Sequence, residues 1–69
     1  MDSVLNVIRA EVGDVQESTT LDELNVDSLE LLDLLQKVEG ACGVRIPDDR
    51  IVNLNSIGDI VAAVNSLRN

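Results

Sequence analysis

The chain has 69 residues, of which 45% are hydrophobic and none is aromatic, and thirteen acidic residues against five basic ones give a formal net charge of −8. This length has room for one small domain, which we predict over residues 1–69, with a core built from aliphatic side chains. The acidic balance excludes nucleic acid as a partner, because phosphates require Lys and Arg, and it favours either basic protein partners or simple solubility.

A first helix is predicted near the N-terminus, where apolar residues recur at the spacings of one helical face. Asp2 or Ser3 is the expected N-cap, and Gly13 is the expected end of the helix. A polar connection follows over residues 14–20, and we expect Leu21 and Leu24 to anchor the chain against the core after it. The apolar positions of the first helix are Val4, Leu5, Ile8 and Val12.

The second helix has the strongest pattern, because Asp27 and Ser28 precede a leucine-rich segment. Asp27 and Glu30 form a predicted capping pair, which places Ser28 at the helix N-terminus. Unpaired backbone N–H groups and the helix dipole favour a phosphate on a hydroxyl at that place. We expect Gly40 and Gly43 to end this helix. Its predicted apolar face consists of Leu29, Leu31, Leu32, Leu35 and Val38, with Glu30, Asp33 and Lys37 on the opposite face.

Two further helices are predicted in the C-terminal part of the chain. Pro47 interrupts the backbone, and residues 48–53 are expected to hold a short helical turn. A last helix is expected to begin at Asn55 or Ser56, where Ser56 and Asp59 form a second capping pair. The predicted inward positions are Ile51, Ile57, Ile60, Val61, Val64 and Leu67. Because no segment alternates as a strand does, the predicted fold is all-α, a small four-helix bundle of three main helices and a short third one.

The types of residue present argue against catalysis within the chain. There is no histidine, so Ser28 has no imidazole to activate it, and Asp27 is too weak a base to ionise a serine hydroxyl alone. The acidic residues lack the spacing of a calcium loop, and we predict no metal site. The single cysteine, Cys42, is expected to be a buried apolar side chain rather than a reactive thiol.

The sequence shows no membrane or secretory segment. No apolar run approaches the length of a membrane span, and the N-terminus lacks the pattern of a signal peptide. One cysteine cannot form an internal disulfide, so folding requires no oxidising compartment. We therefore expect a cytoplasmic protein that does not act on membranes, and we expect a monomer.

Three segments share their residue order and spacing with a known family. Leu21 to Leu34 contains a hydrophobic residue, an acidic pair, Leu, Asn, a small residue, Asp-Ser-Leu, an acid and the start of a leucine-rich helix. Ile46-Pro47-Asp48-Asp49 and then Asn55-Ser56-Ile57 follow at matching distances. Together, over roughly positions 21 to 67, these residues resemble the acyl carrier protein family. Asn25 stands where the family usually has Gly, a position that Asn tolerates because it accepts a left-handed backbone.

The resemblance implies a carrier domain with 4′-phosphopantetheine attached to Ser28. A separate Mg²⁺-dependent phosphopantetheinyl transferase would transfer this group from coenzyme A, and the thiol of the group would hold acyl chains as thioesters. The other implied partners are acyl-loading and acyl-using enzymes with basic docking patches. The residues that match docking positions of the family are Asp27, Leu29, Glu30, Asp33 and Glu39.

We therefore predict an acyl carrier protein that has no enzymatic activity of its own and serves fatty-acid, polyketide or related biosynthesis. Two alternatives stay open. An aminoacyl or D-alanyl carrier shares the fold, and an unmodified helical interaction module would keep the fold without the arm. The intact Ser28 argues against the unmodified module, and treatment with a transferase distinguishes it from the carriers.

Overall fold

The computed structural model describes residues 3–68 and consists of four helices joined by irregular segments, the longest of which connects the first two helices over residues 13–27. The helices are α1 (Ser3–Val12), α2 (Ser28–Cys42), α3 (Asp48–Ile51) and α4 (Ile57–Arg68). Within residues 3–68 the only extended pairing is one isolated antiparallel bridge between Thr20 and Ser56. The prediction of an all-α fold with three main helices and a short third helix is confirmed. None of the helices in this part of the chain combines the length and the apolar character that a membrane span needs.

The core lies where α1, α2 and α4 pack against one another. Its side chains are all aliphatic, and burial of each large one contributes about 1.5–3 kcal/mol. The short helix α3 has no fully buried residue, and Ile51 packs half-buried against the core. The large side chains that are fully enclosed are Val4, Ile8, Leu35, Val38, Ile57, Ile60 and Val64.

The buried face of α2 differs from the predicted one. Its buried side chains are Leu34, Leu35 and Val38, with Leu31 half-buried. These positions follow the i, i+3, i+4, i+7 spacing of one helical face. In contrast, Leu29 is 78% exposed and Leu32 is 42% exposed. The predicted apolar face thus includes the exposed Leu29 and Leu32 and omits the buried Leu34, because five leucines within residues 29–35 fit more than one helical face and only packing selects among them.

Both ends of α2 have well-defined caps. Asp27 Oδ1 accepts the Glu30 N–H at 2.9 Å, which confirms the predicted N-terminal cap. At the other end Gly43 adopts a left-handed backbone with φ 69°, and its N–H donates to Glu39 O at 2.8 Å. The helix continues through Gly40, so the prediction that Gly40 helps to end it was wrong: the left-handed cap falls at Gly43.

The connection between α1 and α2 is hydrogen-bonded to the start of α4. Three backbone hydrogen bonds form this junction, from Ile57 N–H to Thr19 O (2.9 Å), from Gly58 N–H to Glu17 O (2.8 Å) and from Leu21 N–H to Asn55 O (2.9 Å). We call this set the loop–α4 seam. Two of its donors are N–H groups of the first turn of α4, which have no acceptor within the helix. The seam therefore provides acceptors for the first N–H groups of α4 and holds the α1–α2 connection against that helix.

The N-terminus of α4 also has the predicted capping pair. The Asp59 N–H donates to Ser56 Oγ at 3.2 Å, and the Ser56 N–H donates to Asp59 Oδ2 at 3.2 Å, as in a reciprocal capping box. At the end of α1, Gly13 has φ 97° and its N–H donates to Arg9 O at 2.9 Å. The predicted caps of α1, Asp2 and the side chain of Ser3, lie outside what the structure describes.

Candidate functional site

Ser28 is the first residue of α2, and it is exposed. The turn that precedes it is tied to Leu21, whose carbonyl oxygen accepts the N–H groups of Leu24 and Val26, both at 3.2 Å. Asn25 lies between them with φ 55°, the left-handed conformation that its side chain tolerates. Because Leu21 is itself buried in the core, this turn holds Ser28 in a defined position at the surface.

The polar groups beside Ser28 suit an anion and provide no base. Asp27 is engaged at the helix start, since its carboxylate accepts the Glu30 N–H and its carbonyl oxygen accepts the Leu31 N–H at 2.9 Å. No group within residues 3–68 accepts the backbone N–H of Ser28 or Leu29. These donors and the helix dipole favour a negative charge at this place. With no histidine in the chain, the Ser28 hydroxyl has no internal activator.

A cleft of about 260 Å³ opens beside Ser28. Its walls come from the α1–α2 connection, the first turns of α2 and the segment before α4. A larger cleft of about 410 Å³ lies between α3 and α4 and does not include Ser28, so the serine belongs to the smaller one. The smaller cleft is lined by the polar residues Thr20, Asp22, Asp27, Ser28 and Asn55 and by the apolar residues Leu21, Val26, Leu31 and Leu54.

Four of the five predicted docking residues lie in the first two turns of α2 or at its cap. Asp27, Glu30 and Asp33 are exposed, and Leu29 lies among them with most of its side chain in solvent. Leu32, a member of the predicted apolar face, is exposed on the same helix. The region around Ser28 therefore presents both carboxylates and apolar side chains to solvent.

Glu39 lies in a different environment from the other four residues. It is half-buried, and its Oε2 accepts the Ile46 N–H at 2.6 Å. Its carbonyl oxygen accepts the N–H groups of Gly43 and Val44 at 2.8 and 3.2 Å. Glu39 thus holds the connection that follows α2 through both its side chain and its backbone. Its part in docking stays a prediction.

Lys37 links α2 to α1. Its Nζ lies 2.8 Å from Glu11 Oε2 on α1 and 3.7 Å from Asp33 Oδ2 one turn earlier on α2. The hydrogen bond from Lys37 to the Glu11 carboxylate and the charge of that carboxylate raise the pKa of Lys37 above its ordinary value of 10.5, and Asp33 adds to the effect. Lys37 therefore keeps its positive charge at neutral and moderately alkaline pH.

The remaining candidates for chemistry show no site. Cys42 is half-buried and packs against the core, so it is less enclosed than predicted but serves as an apolar contact. In the part of the chain that the structure describes, no three acidic or cysteine side chains come close enough to hold a metal ion.

Comparison with known proteins connects this geometry to a family. A family model described as "Phosphopantetheine attachment site" matches residues 2–64. The chain is 47% identical over 50 residues to an acyl carrier protein of Acidothermus cellulolyticus, covering 71% of this chain and 60% of that protein. It is 35% identical over 51 residues to the meromycolate extension acyl carrier protein of Mycolicibacterium aurum, covering 74% of this chain and 53% of that protein.

Two further relatives are matched over a larger share of their own length. An acyl carrier protein of Rhodococcus erythropolis is 32% identical over 73 residues, an alignment that covers 87% of this chain and 80% of that protein. The crystal structure of an acyl carrier protein from Thermotoga maritima superposes with a TM-score of 0.77 at 23% identity, covering 94% of this chain and 81% of that one. This superposition shows the shared fold. The chain spans little more than half the length of the first two relatives.

Proposed function

The chain belongs to the acyl carrier protein family, and from that membership we propose that Ser28 carries 4′-phosphopantetheine and that the protein presents acyl groups to biosynthetic enzymes. The observation that carries the proposal is the exposed Ser28 hydroxyl at the start of α2, within the residues that match the phosphopantetheine attachment family. When bound, the group supplies a terminal thiol on which acyl chains are held as thioesters. Fatty-acid, polyketide or related biosynthesis is the proposed setting.

The residues around Ser28 fit such a group. A phosphodiester on Ser28 Oγ is negatively charged, and the N–H groups of Ser28 and Leu29 have no other acceptor within residues 3–68. The adjacent cleft offers polar side chains such as Thr20 and Asn55 beside apolar ones such as Leu54. That mixture suits an arm made of amide and methylene groups.

In this proposal the chain is the substrate of the attachment reaction. Asp27 is held in the helix cap, and the chain contains no histidine, so no residue near Ser28 acts as an efficient base. A separate phosphopantetheinyl transferase, with Mg²⁺ and coenzyme A, is the proposed partner that supplies the catalysis. The relatives in the comparison are carrier proteins rather than enzymes, which supports this assignment.

We propose that basic patches of the transferase and of acyl-loading and acyl-using enzymes dock on the first turns of α2. The exposed carboxylates of Asp27, Glu30 and Asp33 lie at the cap and in the first two turns of the helix that Ser28 begins, and the net charge of −8 steers basic partners toward the protein. Leu29 offers an exposed apolar contact beside the serine, and we add Leu32 to this surface. Glu39 is also a proposed contact, and its carboxylate has less capacity for a partner because it already accepts the Ile46 N–H. We call Asp27, Leu29, Glu30, Leu32 and Asp33 the docking surface.

The cargo, the oligomeric state and the compartment of the protein are also proposals. The names of the matched relatives favour acyl cargo over the aminoacyl or D-alanyl alternative. We propose that residues 1–69 act as one monomeric carrier domain, because α1, α2 and α4 share one core. We propose the cytoplasm as its compartment, because the chain contains a single cysteine and therefore needs no oxidising environment to fold.

The test is incubation with coenzyme A, Mg²⁺ and a broad-range phosphopantetheinyl transferase, followed by measurement of the intact mass. The wild-type chain should gain the mass of one phosphopantetheine, and Ser28→Ala should gain none. Ser18→Ala, which removes an exposed hydroxyl from the α1–α2 connection, is the matched control and should be modified as the wild type is. Unmodified wild-type protein after treatment with several transferases would contradict the proposal and favour the unmodified interaction module.

A further inference from the structure

Lys37 is the single basic residue of α2, and it lies beside carboxylates of the docking surface. Glu30, Asp33 and Lys37 are spaced by three and four residues, so they occupy one face of the helix. A cation at this place weakens the negative potential that a basic partner meets. The position of the Lys37 ammonium therefore matters for docking, and two acidic residues compete for it.

The ammonium of Lys37 lies closer to the carboxylate on α1. Lys37 Nζ lies 2.8 Å from Glu11 Oε2, a direct hydrogen bond, whereas it lies 3.7 Å from Asp33 Oδ2. Glu11 thus holds the ammonium toward α1, and the ion pair with Asp33, which belongs to the docking surface, is the longer of the two. In this arrangement the side chain of Asp33 remains 69% exposed.

We propose that Glu11 is a positioning residue for partner docking, because it holds Lys37 closer to α1 than to Asp33 and keeps the Asp33 carboxylate accessible to basic groups of the partner. The inference rests on the proposed function, in which partners dock on α2. Without the Glu11 carboxylate, Asp33 is the one acidic partner of Lys37 that remains within residues 3–68, at the favourable i, i+4 spacing. Closer pairing with Lys37 then neutralises Asp33 and places a positive charge where a basic partner must approach.

A purely structural role for the Glu11–Lys37 pair makes a different prediction. The pair joins α1 to α2, but both side chains are well exposed, and exposed ion pairs contribute little to stability. Removal of Glu11 should therefore leave the domain folded. An effect on docking is measurable separately from any effect on folding, as a change in the KM for the carrier at constant kcat.

The experiment measures steady-state modification of Ser28 by the transferase at low ionic strength. Glu11→Gln should raise the KM for the carrier about two- to fivefold without changing kcat, and Lys37→Gln should lower that KM by a similar factor. The double variant should behave as Lys37→Gln does, because Glu11 has no ammonium left to hold. Glu17→Gln makes the same chemical change at an exposed residue whose side chain has no basic partner within residues 3–68, and it should leave the KM unchanged.

Two results would overturn the inference. The first is a wild-type KM in Glu11→Gln, and a lower melting temperature of that variant would then show that the Glu11–Lys37 pair is purely structural. The second is an equal rise in KM when Glu11 is replaced with and without Lys37, since Glu11 would then act through its own charge. Failure of the proposed function gives other results: the wild type is not modified, or Asp33→Asn leaves the KM unchanged.

Discussion

The loop–α4 seam leaves no room for a side chain at Gly58. Gly58 is the second residue of α4, and its N–H donates to Glu17 O at 2.8 Å. An added Cβ would lie 2.9 Å from that same oxygen and 3.4 Å from Glu17 Cβ. Overpacking costs about 1–3 kcal/mol, and the better helix propensity of alanine offsets at most about 1 kcal/mol of it. We therefore expect Gly58→Ala to lower the free energy of unfolding by about 1–2 kcal/mol.

Gly40 provides the matched control, because the same substitution should have the opposite sign there. It lies inside α2, and an added Cβ meets no atom within 4 Å. Gly40→Ala should raise the free energy of unfolding by about 0.5–1 kcal/mol. Urea unfolding followed by circular dichroism measures both variants, since the chain has no aromatic residue to report by fluorescence. Shifts of the same sign in the two variants would show that Glu17 does not limit the space at Gly58.

Three further predictions concern α2. Leu35→Ala should lower the free energy of unfolding by about 2–5 kcal/mol, which is comparable to the whole stability of so small a domain. Leu29→Ala should change that free energy by less than about 0.5 kcal/mol and raise the KM of the transferase for the carrier. Circular dichroism measures the first effect in both variants, and modification kinetics measure the second. Asp27→Ala should lower the free energy of unfolding by about 1 kcal/mol, while Asp27→Asn keeps the cap, leaves the urea midpoint unchanged and slows modification. The Glu11 carboxylate raises the pKa of Lys37 in the folded state, so the charged ammonium stabilises the fold at pH values below 10.5. This stabilisation is lost as the pH rises through the raised pKa of the folded state. The difference in melting temperature between wild type and Lys37→Gln should therefore be constant from neutral pH to about pH 9 and shrink above 10.5.

The features predicted correctly from the sequence depend on residues close together in the chain. The cap at Asp27 and the capping pair of Ser56 and Asp59 each form within one helical turn, so residue type and spacing suffice to predict them. The left-handed backbone of Asn25 is likewise a local property. The place of Ser28 at a helix start followed from the same local rules. Its role as an attachment site came from the family resemblance and stays a proposal.

The features that the sequence did not reveal depend on contacts between distant segments. Leucines fill so many positions of α2 that the choice of Leu34 over Leu29 for the core is made by α1 and α4. The seam joins Glu17 to Gly58, residues far apart in sequence, through backbone atoms, and a glycine at position 58 does not by itself indicate which carbonyl group approaches it. The bond between Glu39 and Ile46 also depends on how the chain turns after α2, so the sequence did not reveal that the Glu39 carboxylate holds this connection.

The most direct test of the account locates the added group on the treated chain. Trypsin should release the peptide from Ala10 to Lys37, which contains Ser28 together with the other hydroxyl residues Ser18, Thr19 and Thr20. Fragmentation in the mass spectrometer distinguishes them. We predict the mass of phosphopantetheine on every fragment that contains Ser28 and on no fragment that lacks it. The added mass on Ser18, Thr19 or Thr20, or on no residue at all, would contradict this prediction.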